Sequence, residues 1–96
     1  MEPEQALELE WGSQFKKDVK RLKKQGKNLD KRWGDVELLR TRRPLPARCK
    51  DHALKGKLVT WRDCHIEPDW VLIYRVEESE NTLRLYRSGS HSELGL

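Results

Sequence analysis

Residues 62–75 read Arg-Asp-Cys-His-Ile-Glu-Pro-Asp-Trp-Val-Leu-Ile-Tyr-Arg, and this stretch decides the fold of the 96-residue chain. Its halves are rich in β-branched and aromatic residues and are separated by Glu-Pro-Asp, so it predicts a turn between two antiparallel strands, over 58–67 and 70–76. The second strand is apolar without alternation, as expected of a strand covered on both faces. A third strand is predicted at 82–87, after the turn-like sequence 77–81.

The N-terminal half has the periodicity of helices. Phe15, Val19 and Leu22 recur at helical spacing among lysines, which predicts an amphipathic helix with a basic outer face. Gly26 can end this helix in a left-handed cap, and Asn28 can begin the next one. The two segments therefore predict a helical hairpin.

The second helix is predicted to be continuous through Gly34, although glycine weakens a helix interior. Pro44 and Pro46 end it. Its apolar residues again step by three or four, at Leu29, Trp33, Val36 and Leu39. A further strand is predicted at 6–11. We expect a single domain over 1–96, of the α/β (α+β) class, with an N-terminal two-helix hairpin packed on a mostly antiparallel sheet of about four strands.

Composition limits the class of protein. With 35% hydrophobic residues, the chain can bury only a thin core, much of it from four Trp, two Tyr and one Phe. No apolar run approaches the roughly 20 residues that span a bilayer, and the acidic start lacks the basic region of a signal peptide. We expect a cytoplasmic protein without a membrane partner.

Charge is distributed unevenly along the chain. The formal net charge is +4, but residues 16–50 carry fourteen Lys or Arg against four Asp or Glu. Such a surface binds phosphates by releasing counterions, which predicts an RNA or ribosome contact. The candidate residues on the first helix are Lys16, Lys17, Lys20, Lys23 and Lys24. A helix face that lysine merely keeps solvated is the alternative.

Three histidines, His52, His65 and His91, lie in polar segments that also hold Asp or Arg. Since the unperturbed side chain titrates near neutrality, two histidines brought together can accept and donate protons, as RNA cleavage requires. Ordinary surface histidines are the alternative.

Strand alternation separates the faces around His65. Cys64 and Ile66 are predicted to face the core, and His65 the other side. Asp63 and Glu67 share that side, where they can orient the ring.

The two cysteines raise the question of a metal. Cys49, His52, Cys64 and His65 offer four ligand atoms, but Cys64 and His65 are strand neighbours that point to opposite faces, so one ion cannot easily take both. A disulfide is not expected in a chain without an export signal. The sequence therefore predicts free thiols, no metal and no other cofactor.

Several motifs together resemble the YafQ branch of the RelE/ParE toxin superfamily. They span about residues 13–94 and read Phe15-Lys-Lys-Asp-Val-Lys-Arg-Leu, Pro44-Leu-Pro-Ala-Arg, Lys50-Asp-His-Ala-Leu-Lys-Gly, the 62–75 stretch and Gly89-Ser-His-Ser-Glu-Leu. Members are toxins of type II toxin–antitoxin systems that cleave mRNA on the ribosome, with a two-helix hairpin packed on an antiparallel sheet. The resemblance implies a ribosome-dependent endoribonuclease whose partners are a cognate antitoxin of the DinJ or RelB kind, the ribosome and mRNA.

Carried over by residue, the resemblance assigns His52, His65, Asp69 and His91 to the catalytic group, with Arg87 as a phosphate contact. The implied chemistry is metal-free: a general base activates a ribose 2′-hydroxyl for attack on the adjacent phosphate, and a general acid protonates the leaving 5′-oxygen. Which histidine is base and which is acid stays open.

Lys50, Trp61 and Arg62 complete the predicted RNA-binding or ribosome-binding set. Trp61 offers an aromatic ring on which a base can stack. By strict alternation Arg87 faces the core with Leu85, unless a bulge changes the strand phase.

The chain departs from the family pattern at three places. Thr60-Trp61 stands where Gly-Tyr is common, Gly95-Leu96 closes the chain where an aromatic usually follows, and residues 1–12 match poorly. The alternative function is therefore a non-catalytic or inactivated relative that binds the ribosome or gyrase.

Overall fold

The computed structural model describes residues 6–96 and confirms the predicted α+β architecture. Two helices, α1 (Ser13–Lys24) and α2 (Leu29–Arg40), form the hairpin, and a short helix, α3 (His91–Leu94), follows the last strand. Across the described residues, one five-stranded sheet has the order β1-β5-β4-β3-β2. Its strands are β1 (Glu8–Trp11), β2 (His52–Ala53), β3 (Arg62–Glu67), β4 (Trp70–Glu77) and β5 (Thr82–Gly89).

The helix boundaries follow from the predicted signals. The Asn28 side chain caps α2 by accepting a hydrogen bond from the Asp30 amide at 3.1 Å. Gly26 takes a left-handed φ of 77°, which reverses the chain after α1. Gly34 lies within α2 without interrupting it, so the predicted continuity is confirmed.

The sheet is mostly antiparallel, with one parallel edge. β4 pairs with β3 and β5 in antiparallel fashion, whereas β1 runs parallel to β5. The strand predicted at 6–11 is confirmed as β1, and the short β2 raises the number of strands above the predicted four. The predicted strand 58–67 starts four residues too early, because Gly56–Leu58 forms a 3-10 turn and pairing begins at Arg62.

The core lies between the helices and the sheet, and β4 runs through its centre. Trp70, Leu72 and Tyr74 belong to the core cluster, while Val71 and Ile73, which alternate with them, are buried outside it. β4 is thus covered on both faces, as predicted. Among residues 6–96 no helix is long and apolar enough to cross a membrane.

A register shift in β5 settles the orientation of Arg87. Tyr74 pairs with Leu85, but the next pair is Ile73 with Arg87, so Tyr86 is an extra residue in the strand. Because of this extra residue, the side chain of Arg87 leaves the strand on the face opposite to that of Leu85. Strict alternation is therefore wrong at this position.

Candidate active site

The three histidines lie in one row across the β2–β3 edge and the start of α3. The rings of His52 and His65 stack at a centroid distance of 6.1 Å. His65 Nε2 faces His91 Nε2 at 3.2 Å. Residues 39 positions apart in the chain thus form a continuous set of ring nitrogens, which strand pairing and the docking of α3 bring together.

The hydrogen bonds of His65 and His91 assign their protons. His65 Nδ1 lies 3.1 Å from the Cys49 carbonyl oxygen, and His91 Nδ1 lies 2.7 Å from Asp69 Oδ1. Because a carbonyl and an ionised carboxylate only accept hydrogen bonds, both Nδ1 atoms carry hydrogen. If both rings were neutral, two lone pairs would face each other at Nε2. The pair is therefore joined by a hydrogen bond only when one Nε2 is protonated, which makes one ring the donor and the other the acceptor.

Asp69 holds His91 from the turn between β3 and β4. Its Oδ1 accepts from both the backbone amide of His91, at 3.0 Å, and the ring Nδ1. These two hydrogen bonds, the amide first, lower the pKa of Asp69 below its usual range. The carboxylate is therefore ionised near neutral pH and accepts the hydrogen bond from His91 Nδ1.

A capping box fixes the position of His91 at the start of α3. The Ser90 side chain accepts from the Glu93 amide, and the Glu93 side chain accepts from the Ser90 amide. Glu93 also binds Arg21 at 3.1 Å and Gln25 at 2.9 Å, which ties α3 to α1. Gly89 lies beside this tie, and an added Cβ would force the ends of the Arg21 and Glu93 side chains to shift.

The predicted orientation of His65 by Asp63 and Glu67 is wrong. Glu67 binds Lys27 and Lys31, at 3.5 and 3.4 Å, after the register shift that follows His65 in β3. Strand alternation alone does not reveal this shift.

Asp63 accompanies His52 instead of His65. His52 Nδ1 lies 2.9 Å from Asp63 Oδ1 and donates to the Lys50 carbonyl at 2.8 Å. Burial raises the pKa of Asp63 above its usual value, so this carboxyl group is less readily ionised than Asp69.

Arg87 of β5 is held by Asp18 of α1. The buried Asp18 carboxylate accepts from Arg87 Nε at 2.7 Å and Nη2 at 3.2 Å, from Arg21 at 2.7 Å and from the Ser88 amide at 3.0 Å. Asp18 thus binds both arginines, and Arg21 has Glu93 as a second carboxylate partner. Asp18 was not predicted as a site residue. Its signal was a charged residue in the apolar phase of α1, between Phe15 and Leu22.

The predicted base-stacking residue Trp61 already has two neighbours packed against its ring. Tyr86 stacks on it at a centroid distance of 4.7 Å, and the Arg75 guanidinium lies 4.4 Å from the same centroid. Both groups compete with a base for stacking on Trp61. Tyr86, the bulge residue, is thus a second aromatic candidate that alternation did not indicate.

The other residues predicted to contact RNA differ in whether their side chains are already paired within the protein. Arg62 is paired with Asp51 at 3.2 Å, whereas the Lys50 side chain is exposed next to His52. On α1, the five predicted lysines are all exposed, and none forms an ion pair with a described residue. The helix therefore presents an uncompensated basic face.

A cavity of about 390 Å³ opens beside Asp69 and His91. Trp70 and Leu22 form its apolar floor, and the polar side chains around them belong to Gln25, Lys27, Ser90, Ser92 and Glu93. Because Asp69 lines the cavity and also binds His91, the cavity can hold one part of a ligand whose other part contacts the histidines.

Comparison with known proteins places this fold in a family. A family model described as a bacterial toxin of type II toxin–antitoxin systems, YafQ, matches residues 7–95. The mRNA interferase toxin YafQ of Escherichia coli (strain K12) is 40% identical over 88 residues, which cover 91% of this chain and 94% of that protein.

Solved structures agree with the sequence match. A metal-bound toxin from Helicobacter pylori superposes with a TM-score of 0.87 at 46% identity, covering 92% of this chain and 98% of the other. A chain of the E. coli DinJ–YafQ toxin–antitoxin complex gives a TM-score of 0.83 at 40% identity, with coverages of 93% and 97%.

The fold and the histidine row, taken with these matches, define the class: small bacterial toxins of type II toxin–antitoxin systems. Within that class the chain belongs to the YafQ family. The family resemblance drawn from the motifs is thereby confirmed, as is the expected hairpin-on-sheet fold.

Proposed function

We propose that the chain is an mRNA interferase, an endoribonuclease that cleaves mRNA on the ribosome and so inhibits translation. The observation that carries the proposal is the pair of Nε2 atoms of His65 and His91, which face each other at 3.2 Å with both Nδ1 atoms committed as donors. A phosphodiester cleaved through its own 2′-hydroxyl needs one proton acceptor and one proton donor, and the pair supplies one of each. The name of the E. coli relative, mRNA interferase, supports the same reaction.

The environments of the two histidines assign the roles. The His91 ring binds the carboxylate of Asp69, whereas the His65 ring binds only a neutral carbonyl, so we assign the general acid to His91 and the general base to His65. His65 Nε2 then takes the proton of the 2′-hydroxyl, whose oxygen attacks the phosphorus. His91 gives its proton to the leaving 5′-oxygen, and the products are a 2′,3′-cyclic phosphate and a 5′-hydroxyl.

Arg87 stabilises the charge that develops on the phosphate. Asp18 engages its Nε and Nη2 and leaves Nη1 for a phosphate oxygen. A guanidinium held in place before the reaction needs no reorganisation when charge develops. His52, at the other end of the row, contacts the ribose or phosphate. Side chains thus supply all proton transfers and charge stabilisation, and the proposed reaction needs no metal.

The surroundings of the row suit an RNA bound on the ribosome. The exposed lysines of α1 contact ribosomal RNA by charge. The aromatic pair Trp61 and Tyr86 and the cavity beside Asp69 receive nucleotides that flank the cleaved bond. The site of action is the cytoplasm, where ribosomes and mRNA meet.

A cognate antitoxin of the DinJ kind is the proposed inhibitory partner. The E. coli YafQ relative has been crystallised with DinJ. The basic face of α1 is complementary to acidic segments of such a partner.

The proposal is tested by adding the purified protein to a reconstituted translation reaction, with and without EDTA, and mapping mRNA 5′ ends by primer extension. We expect new ends that depend on ribosomes and persist in EDTA. His65→Ala and His91→Ala should each reduce the cleavage rate by about 10²-fold or more. Ser79→Ala, at the far end of β4 and β5, is the control that should cleave normally.

An intact message with the wild-type chain would refute the nuclease and favour the non-catalytic binding protein. Cleavage of mRNA without ribosomes would refute the proposed dependence on the ribosome. Cleavage abolished by EDTA would refute the metal-free route.

A further inference from the structure

A second polar cluster lies behind the histidine row, inside the core. Asp35 of α2, Cys49 of the 3-10 turn Ala47–Cys49 and Cys64 of β3 are all buried, with exposures of 0 to 1%. One ligand atom of each lies within 4.8 Å of the other two. The cluster takes no part in the proposed RNA chemistry.

The charges of this cluster suit a cation. Asp35 brings a carboxylate into the core, where Arg48 binds it through Nη2 at 2.8 Å and Nη1 at 3.1 Å. The Cys49 thiol lies 3.8 Å from Asp35 Oδ2. A divalent cation bound by two thiolates and one carboxylate carries one surplus negative charge, and Arg48 neutralises it.

The spacing fits metal coordination better than a disulfide. Two thiolates on one tetrahedral ion, with metal–sulfur bonds of about 2.3 Å, stand roughly 3.8 Å apart, and the three ligand atoms of the cluster lie within 4.8 Å of one another. A disulfide requires the sulfurs to approach to about 2.05 Å. The ion therefore fits with smaller movements of β3 and of the turn.

We infer that Asp35, Cys49 and Cys64 form a binding site for a thiophilic divalent cation of the zinc and cadmium class. Binding forms two metal–sulfur bonds and one bond to Asp35 Oδ2, releases the two thiol protons to solvent and transfers no electrons. Asp35 Oδ1 keeps its hydrogen bond to Arg48. The fourth position of the ion is left for water.

This ligand set differs from the one that the sequence suggested. Cys64 and His65 do point to opposite faces, and His65 binds the Cys49 carbonyl with Nδ1 and His91 with Nε2. The third ligand is Asp35, 14 residues before Cys49. The sequence does not indicate Asp35 as a ligand, because only the fold brings α2 against β3.

Arg48 marks the route to the site. Its side chain is 46% exposed, while that of Asp35 is 2% exposed. Rotation of Arg48 away from the carboxylate opens the cluster to solvent, and its return over the bound ion restores the charge balance. The site also adjoins the catalytic row, because Cys49 supplies the carbonyl that holds His65 and Cys64 precedes His65 in β3.

The test titrates the reduced, full-length chain with cadmium and follows the thiolate-to-metal charge-transfer band in the ultraviolet. We expect saturation at one cation per chain and a melting temperature that rises by roughly 5 °C or more. Because the histidine row also offers ligands, the titration is repeated on the His65→Ala/His91→Ala double variant, which should keep the band. Cys49→Ser/Cys64→Ser should lose it, and Asp35→Asn should weaken binding by about tenfold or more.

Three results overturn the site. The first is that the wild-type chain shows no thiolate band, and the second is that the band vanishes in the histidine double variant. The third is that the chain purified without reductant is two hydrogens lighter, as a disulfide requires, and takes up no cation. The wild-type titration decides even if the cysteine variant does not fold. None of these measurements uses RNA cleavage, so the result is independent of the proposed function.

Discussion

At the residue level, the contact between His65 and His91 depends on the carboxylate of Asp69, which lies in the turn between β3 and β4. Asp69 binds the ring and the backbone amide of His91, and so fixes its orientation and stabilises its charge. An asparagine keeps an oxygen acceptor but lacks the charge. An alanine lacks both.

We therefore expect a graded loss of cleavage, in which Asp69→Asn lowers the rate by about tenfold and Asp69→Ala by about 100-fold. Primer extension in the translation reaction measures the rates, and ribosome co-sedimentation should show unchanged binding. Equal rates for the wild type and Asp69→Ala would show that His91 needs no carboxylate.

Arg32 is a buried charge for which no described residue provides a hydrogen-bond acceptor. It is fully buried between aromatic rings, with its guanidinium 4.2 Å from the Trp33 centroid and 5.3 Å from that of Phe15. Burial lowers its pKa to about 10. A base with a depressed pKa destabilises the folded state while it is protonated, and this cost is relieved as the pH rises through that value.

Arg32→Met should therefore leave the free energy of unfolding unchanged or raise it, by up to about 3 kcal/mol, because it replaces an unpaired buried charge. Any gain should be largest below pH 10 and shrink above it. Urea unfolding at pH 7 and above pH 10 measures both effects. Arg32→Lys is the matched control that keeps a charge, and it should be less stable than the methionine variant. A methionine variant less stable than the wild type by more than about 1 kcal/mol would show that the cation–π contacts dominate.

At the element level, α1 has an apolar face that packs in the core and a basic face that is exposed to solvent. Phe15 and Leu22 are buried in the core, whereas the lysines are exposed. Since the described part of the chain provides no ion pairs for these lysines, the basic face is free to neutralise phosphates.

Lys16, Lys20 and Lys24 changed together to Gln should weaken ribosome binding and reduce the slope of log affinity against log salt by up to about three. The same three positions changed to Arg conserve the charge and should leave the slope nearly unchanged. Co-sedimentation with ribosomes over a range of salt concentrations measures it. Identical slopes for the Gln and Arg variants would mean that the helix face is merely solvated.

At the level of the whole molecule, Asp18 joins the helix layer to the last strand. Burial alone would raise its pKa, but hydrogen bonds from Arg87, the Ser88 amide and Arg21 together lower it. A carboxyl group whose pKa is depressed on folding stabilises the fold above its ordinary pKa near 4. That stabilisation is lost as the pH falls through the lower value of the folded state.

Asp18→Asn should lower the free energy of unfolding at pH 7 by about 2 kcal/mol or more, since it leaves Arg87 without its charged partner and Arg21 with Glu93 alone. The difference from the wild type should shrink below pH 4. Urea unfolding at both pH values measures it. Glu8→Gln, an exposed change, should have little effect at either pH. A difference that is constant with pH would show that the Asp18 charge contributes no stability.

The sequence predicted most of the fold because its signals are local. The apolar run of β4, the Asn28 cap and the glycine at 26 act within a few residues of where they stand. The start of β3 was placed too early because the 58–61 segment is apolar but has no strand partner, a fact that depends on the rest of the sheet.

The residues of the site were identified in type but not in arrangement. The family motifs and polar segments pointed to His52, His65, Asp69, His91 and Arg87, and their catalytic roles stay predictions. The partners of His65, the bulge at Tyr86 and the Asp18 contact with Arg87 could not be predicted. Each depends on side chains far apart in sequence meeting across strand pairs and helix docking.

By itself, then, the sequence determined the elements, the basic face of the first helix and the toxin family. Periodicity, turn chemistry and motif spacing are properties of neighbouring residues. Only the tertiary structure decided that His65 Nε2 faces His91 Nε2, that Arg87 binds the buried Asp18, and that Asp35 meets two thiols. These depend on distances of a few ångströms between groups that the chain separates by 14 to 69 residues.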